Sequence, residues 1–288
     1  MSAKASFSLG KALSEGLSSL PQAWGGAWLS LILLWVVAIG GHVLTLHFGP
    51  TSHSVIIAIG VAIVSYLLAL MAEGALYRTA IFGPKARSEG LGLGGLQLGA
   101  PELRLFGASI LIALFMAVIV VAALIVLAVA FNMSGLQTGY TNSLAALHAA
   151  FMRHRTGADW TFIVLVPLAL IFFVFLRLKF TLYAAATVAE KRMVTLNALG
   201  LSSGNVGKLF LGLVAIAVPF IIGLIVIVHV ILHGHLHGSA LPGAHRPSIH
   251  TFMIIHAVLM AVMLGFWLPA QTGFLSSAYR QIIALRAK

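Results

Sequence analysis

No Asp, Glu, Lys or Arg occurs between Glu15 and Glu73, between Arg104 and Arg153, between Lys208 and Arg246, or between Arg246 and Arg280. A helix needs roughly 20 apolar residues to cross the hydrocarbon of a bilayer, so each gap has room for at least one crossing and the first for two. Charged residues make up 8% of the chain and hydrophobic residues 60%, whereas about 25% of an average soluble domain is charged. Within these residues a large soluble domain has no room. The fold class that follows is all-α, a polytopic transmembrane helical bundle of about six spans with amphipathic terminal helices.

The expected spans are residues 27–47, 53–74, 105–131, 160–182, 206–232 and 250–269. They divide the chain into a cytoplasmic amphipathic N-terminal segment at 1–26, a six-span membrane domain at 27–269 and a cytoplasmic amphipathic C-terminal segment at 270–288. The terminal stretches, FSLGKALSEGLSSL among residues 5–20 and GFLSSAYRQIIALRA at 273–287, have the short polar face of helices that lie in the membrane interface, and they read equally as extensions of neighbouring helices. Lys4 and Lys11 precede a long apolar segment with no A-x-A-like processing site, so the N-terminus is expected to be retained.

Topology follows from the basic residues. With the N-terminus inside, fourteen of the 17 fall on inner segments, and only Arg153, Arg155 and Arg246 fall outside. Excess Lys and Arg marks the cytoplasmic side, so both termini are expected there, facing anionic headgroups. A net charge of +11 is thereby a membrane-surface feature, and nucleic acid is not an expected partner. The same topology assigns all twelve histidines to the outer half. Between the third and fourth spans, LAALHAAFM at 144–152 reads as a short surface helix.

HVILHGHLHG at 229–238 places His229, His233 and His237 at four-residue spacing, on one face if the helix continues past Gly234. Neutral imidazoles bind zinc, copper or nickel without cysteine, and the chain has no cysteine. If the turn is symmetric about Pro242 and Gly243, His256 stands at the depth of His229, which makes His229, His233, His237 and His256 the candidate metal ligands. Ordinary interfacial or packing histidines are the reading expected first, with a pH-responsive surface and a metal site as its alternatives. Haem held by His229 and His256 is disfavoured because no pair has a distinctive haem context. Asp159 is the one acid assigned outside, so carboxylates that would orient ligand imidazoles are scarce.

On the inner side, Glu73 in YLLALMAEGALYR is expected to make a structural polar pairing, as are Arg78 and Glu190. GLGLGG in the segment 78–104 lacks both the preceding strand and the following Lys-Ser/Thr of a phosphate loop, so that segment reads as a cytoplasmic loop with partial interfacial contact. Arg177, Lys179, Lys191, Arg192 and Lys208 form a basic elbow that is expected to touch lipid or a partner protein. SSGN at 202–205 breaks the chain there, with Asn205 placed to cap the fifth span.

Arg177-Leu178, Ala189-Glu190, Ala198-Leu199 and Ser203-Gly204-Asn205 with Leu209-Phe210 form a pattern that resembles multispanning bacterial proteins related to the membrane domain attached to some glycerophosphodiester phosphodiesterases. Those proteins carry a serine-tryptophan-x-leucine-threonine-x-glycine-asparagine run, from which Gly200-Leu201 and Ser202-Ser203 depart, and the aromatic residue is missing here. YLLALMAEGALYR and LQLGAPELR, within residues 66–104, also resemble segments of uncharacterised alphaproteobacterial inner-membrane proteins. The resemblance implies a bacterial inner-membrane location. It carries no phosphodiesterase chemistry, which belongs to a separate soluble domain.

Neither an HExxH pair nor a GxSxG elbow is present, and Asp159 with His154 is the kind of acid-histidine pair an embedded enzyme would have to use. Pro167 and Pro219 interrupt two spans and Asn132 or Asn142 would line a vestibule in a transporter, yet the span centres hold almost no ionisable group. Small residues such as Gly60, Ser65, Ala69, Gly74, Gly107 and Ala108 suit close helix packing. The expected function is a noncatalytic inner-membrane scaffold, a lipid-associated protein or an accessory subunit with anionic phospholipids and a membrane protein as partners. A transporter or permease for an unknown solute is the alternative.

Overall fold

The computed structural model describes residues 6–48, 52–133, 157–238 and 249–287. In hydrocarbon every backbone N–H and C=O must be satisfied within the protein, which a helix does inside its own segment. Among the described residues the regular structure is helical throughout: α1 (Leu9–Ser18), α2 (Leu20–Phe48), α3 (Ser52–Phe82), α4 (Ala100–Met133), α5 (Gly157–Phe180), α6 (Tyr183–Glu190), α7 (Asn197–Leu201), α8 (Val206–Gly238), α9 (Ile249–Val262) and α10 (Leu268–Arg286). Six segments are long and apolar enough to cross a membrane. The chain is a multi-pass membrane protein of the all-α class.

The six apolar segments coincide with the expected spans, and several run further. α3 continues from residue 74 to Phe82 because Arg78 is buried and partnered inside the protein. A charge therefore does not mark the end of that helix. The stretch around Lys191 behaves differently. α6 ends at Glu190 and Lys191 adopts a left-handed conformation, with φ of 53°, which turns the chain toward α7.

Burial is concentrated at the end of the molecule that carries most of the lysines and arginines. Phe7, Leu105, Phe180, Leu182, Leu209, Phe274 and Ile282 are buried there in one cluster, beside a smaller one around Leu31 and Leu76. Further along the same helices, Val118, Leu124, Val164, Leu170, Ile225 and Val230 are exposed. Lipid tails are as apolar as these side chains, so their exposure carries no hydrophobic penalty in a bilayer.

The two terminal segments, which read equally as interface-plane helices or as extensions of neighbouring helices, lie within this packed end. α1 packs against α10, where Gly16 approaches the backbone of Phe274 so closely that a Cβ would stand 2.8 Å from its nitrogen. Glu15 accepts hydrogen bonds from Ser277 at 2.7 Å and Arg280 at 3.1 Å. α10 continues α9 through a π-helical turn at Met263–Trp267, and it buries Phe274, Leu275, Ala278, Tyr279 and Ile282. Pro269 has no N–H to give the carbonyl four residues back, that of Gly265, and the indole of Trp24 donates to that oxygen at 2.7 Å. The C-terminal segment is thus an extension of the sixth span, held by packing.

The connection from α3 to α4 folds back on the bundle. Its two 3₁₀ turns, Gly83–Ala86 and Leu93–Gly95, pack against α3 and α2 respectively. At Gly95, where φ is 83°, a Cβ would lie within 3.0 Å of Ser30, Ala75 and the Ala27 backbone. A glycine is required there both for the left-handed backbone and for the close approach.

Candidate functional site

Arg78 and Glu102 form the most deeply buried ion pair among the described residues, with side chains 2% and 0% exposed and an N–O distance of 2.5 Å. Arg78 also donates to the carbonyl of Gly90 at 2.8 Å. The other oxygen of Glu102 accepts from the N–H of Gly99 at 2.9 Å, the reach-back to a helix N-terminus that a Glu at the third helical position makes. The pair ties the folded-back connection to α3 and to the start of α4. Its role is architectural: both charges are consumed by each other and by backbone groups. Arg78 is among the residues expected in structural pairing; its partner Glu102 is not, although Gly99, Pro101 and Glu102 are an N-terminal helix signature.

Glu73 does not pair with Arg78. Five residues apart on α3, the two point to different sides of the helix. Glu73 is half-buried and lies within electrostatic range of Arg177 on α5 and of Tyr77 and Tyr183. Glu190 makes a pairing of its own: it accepts from Tyr279 at 3.0 Å and from Arg192, whose closest nitrogen is 2.6 Å away.

The basic elbow divides into four residues hydrogen-bonded or ion-paired within the protein and one that interacts only at longer range, with Glu73. Lys179 donates to Ser203 at 3.0 Å. Lys191 pairs with Glu89 of the α3–α4 connection at 2.6 Å. Arg192 pairs with Glu190, and Lys208 donates to the carbonyl of Phe7 at 2.8 Å, which anchors the N-terminal segment. Asn205 stands immediately before α8 and its carbonyl accepts from Leu209 at 2.9 Å. Arg177 differs. Its side chain is exposed, and among the described residues it makes no hydrogen bond or ion pair.

Arg177 faces a cavity of about 260 Å³ between α4 and α5, lined also by Ser109, Ile112, Met116, Phe173 and Tyr183. The Ser109 hydroxyl lies 2.8 Å from the Phe106 carbonyl and 3.0 Å from the Tyr66 hydroxyl. The Tyr183 hydroxyl has no hydrogen-bond partner among the described residues. Further from the packed end, the same seam opens into an apolar cavity of about 370 Å³, lined by Ile119, Ala123 and Val126 of α4 and Leu165, Leu168 and Phe172 of α5. Met116 to Ile119 is less than one helical turn, so the two cavities follow directly on one another.

At the opposite end, α8 continues unbroken past Gly234 to Gly238, which puts positions 229, 233 and 237 on one helix face. The side chains of His233 and His237 lie outside the described residues. His256 stacks on His42 of α2, with ring centroids 4.8 Å apart, and among the described residues no group of three or more metal-ligating side chains converges. The expected surface helix at 144–152, together with His148, His154 and Asn142, lies outside the described residues, as do the side chains of Asn132 and Asp159. Compared with family models, curated proteins and solved structures, the chain matches none.

Proposed function

We propose that this chain is a noncatalytic, lipid-associated component of a bacterial inner membrane, a scaffold or accessory subunit of a membrane complex whose basic end and both termini face the cytoplasm. The observation that carries the reading is the coincidence of the packed end with the basic end, above helices whose remaining surface is apolar. Even the paired cations there stay open to a headgroup layer: the side chains of Lys11, Lys191, Arg192 and Arg280 are between 48% and 65% exposed. Each basic residue beside an anionic leaflet contributes about 1 kcal/mol of attraction. The engaged charges tie the helices and connections of the basic end together.

Lipid quantification on the protein extracted in native membrane patches tests this. Phosphatidylglycerol and cardiolipin are expected to be enriched over their share of the surrounding membrane, with the excess falling as salt rises. Retained lipid that mirrors the bulk composition overturns the reading. Solute uptake by proteoliposomes containing only this chain would replace it with transport.

A further inference from the structure

The α4–α5 seam has the layout of an amphiphile: a polar pocket at the packed end and an apolar trough beyond it. The polar pocket holds two donors, the Arg177 guanidinium and the Tyr183 hydroxyl, that have no hydrogen-bond partner among the described residues. The trough is lined by aliphatic and aromatic side chains alone. An arginine at the edge of hydrocarbon needs a counter-group, and its planar fork matches the two oxygens of a phosphodiester. From Met116 to Leu127 the seam runs roughly 16 Å at 1.5 Å per residue, close to half of a hydrocarbon core about 30 Å thick. That is the depth one acyl chain occupies in its leaflet.

We propose that this seam is a binding groove for one anionic phospholipid, whose phosphodiester is held by Arg177 and Tyr183 and whose acyl chain lies between α4 and α5. The assignment rests on the lipid-associated reading above and deepens it, by distinguishing a single held lipid from a general headgroup layer. Glu73 lies within electrostatic range of Arg177 without lining the cavity and makes no hydrogen bond to it, so the guanidinium donors remain available to the groove. Ser109, held between Tyr66 and the Phe106 carbonyl, shapes the pocket wall without donating to the phosphate. The exposed flank of α5, with Leu168 and Phe172 open to the bilayer, leaves the groove accessible sideways from the leaflet.

The test uses the full chain in nanodiscs of phosphatidylethanolamine with a minority of phosphatidylglycerol carrying a photoactivatable acyl chain. Cross-links are expected on residues 119–127 and 165–172, and native mass spectrometry is expected to retain one phosphatidylglycerol per chain. Arg177→Gln removes a charge-assisted hydrogen bond, so the fraction retained should fall roughly tenfold, and Arg177→Lys should fall between the two. Ala123→Trp fills the trough while leaving the cation in place, and it should abolish both the cross-link and the retained lipid. Unchanged retention in Arg177→Gln and Ala123→Trp overturns the groove assignment, and so does equal retention of phosphatidylethanolamine. Displacement of the lipid by inorganic phosphate would make the pocket a free-anion site and overturn it too. If bulk enrichment of anionic lipid persists while the single held lipid is missing, the groove falls and the broader reading stands; absence of any enrichment removes both.

Discussion

Arg78 and Glu102 show how a charge in an apolar chain is tolerated. Neither side chain reaches water, and each is satisfied by the other and by the backbone of the α3–α4 connection. The net contribution of such a pair is small, but removing one partner strands a buried charge at a cost of about 3–5 kcal/mol. Arg78→Met alone and Glu102→Leu alone should each lower the thermal midpoint of the detergent-solubilised protein substantially, and the double variant should be less destabilised than either single change. A double variant whose loss equals the sum of the two would show that the residues act separately. Glu73 stands out in the sequence as a carboxylate near the end of a span, open to pairing with a neighbouring helix, but which acid Arg78 meets is decided by helix face. Glu102, 24 residues away, is the acid that α3 meets. Arg177 was legible as one of five basic residues in an elbow. Only the positions of Ser203, Glu89, Glu190 and the Phe7 carbonyl separate it from the other four.

Among the elements, α1 and α10 are the two whose sequence supports two readings equally, helices in the interface plane or extensions of their neighbours. Their polar groups, Glu15, Ser277 and Arg280, bond to one another across the contact. The approach depends on a missing side chain. A methyl at Gly16 would meet the main chain of Phe274, which cannot rotate away, whereas nothing lies within 4 Å of one at Gly10. Gly16→Ala should therefore cost about 1–3 kcal/mol from overpacking and speed amide exchange throughout α1. Gly10→Ala should leave α1 as protected or better, because alanine is favoured over glycine in a helix by about 1 kcal/mol. Similar exchange in the two variants would mean that α1 does not depend on this contact. At the π turn before α10, a long-range contact also joins the elements: the Trp24 indole donates to the Gly265 carbonyl, which cannot bond to Pro269.

At the scale of the molecule, the apolar helices cohere at the basic end, and toward the histidine end they present aliphatic surface outward. That asymmetry suits a protein whose packed end sits at an anionic leaflet and whose seams open to lipid. Its orientation is directly measurable because the chain contains no cysteine. Ser88→Cys and Ala287→Cys should react with a membrane-impermeant maleimide only in inverted vesicles, and Asn142→Cys only in spheroplasts. The reverse pattern would place the basic end outside and remove the electrostatic argument for the proposed function.

The class of fold and the approximate course of the six spans were determined by the sequence alone, because hydrocarbon excludes charge and demands internally bonded backbone over a fixed length. That constraint is local and additive along the chain, so it can be read one segment at a time. The partner of each buried charge, the docking of the terminal helices, the stacking of His256 on His42 and the seam that leaves Arg177 uncovered were decided by tertiary structure. Each depends on which faces of distant helices meet. In a chain whose helices α2, α3 and α4 are apolar on every side, hydrophobic periodicity says nothing about which faces those will be.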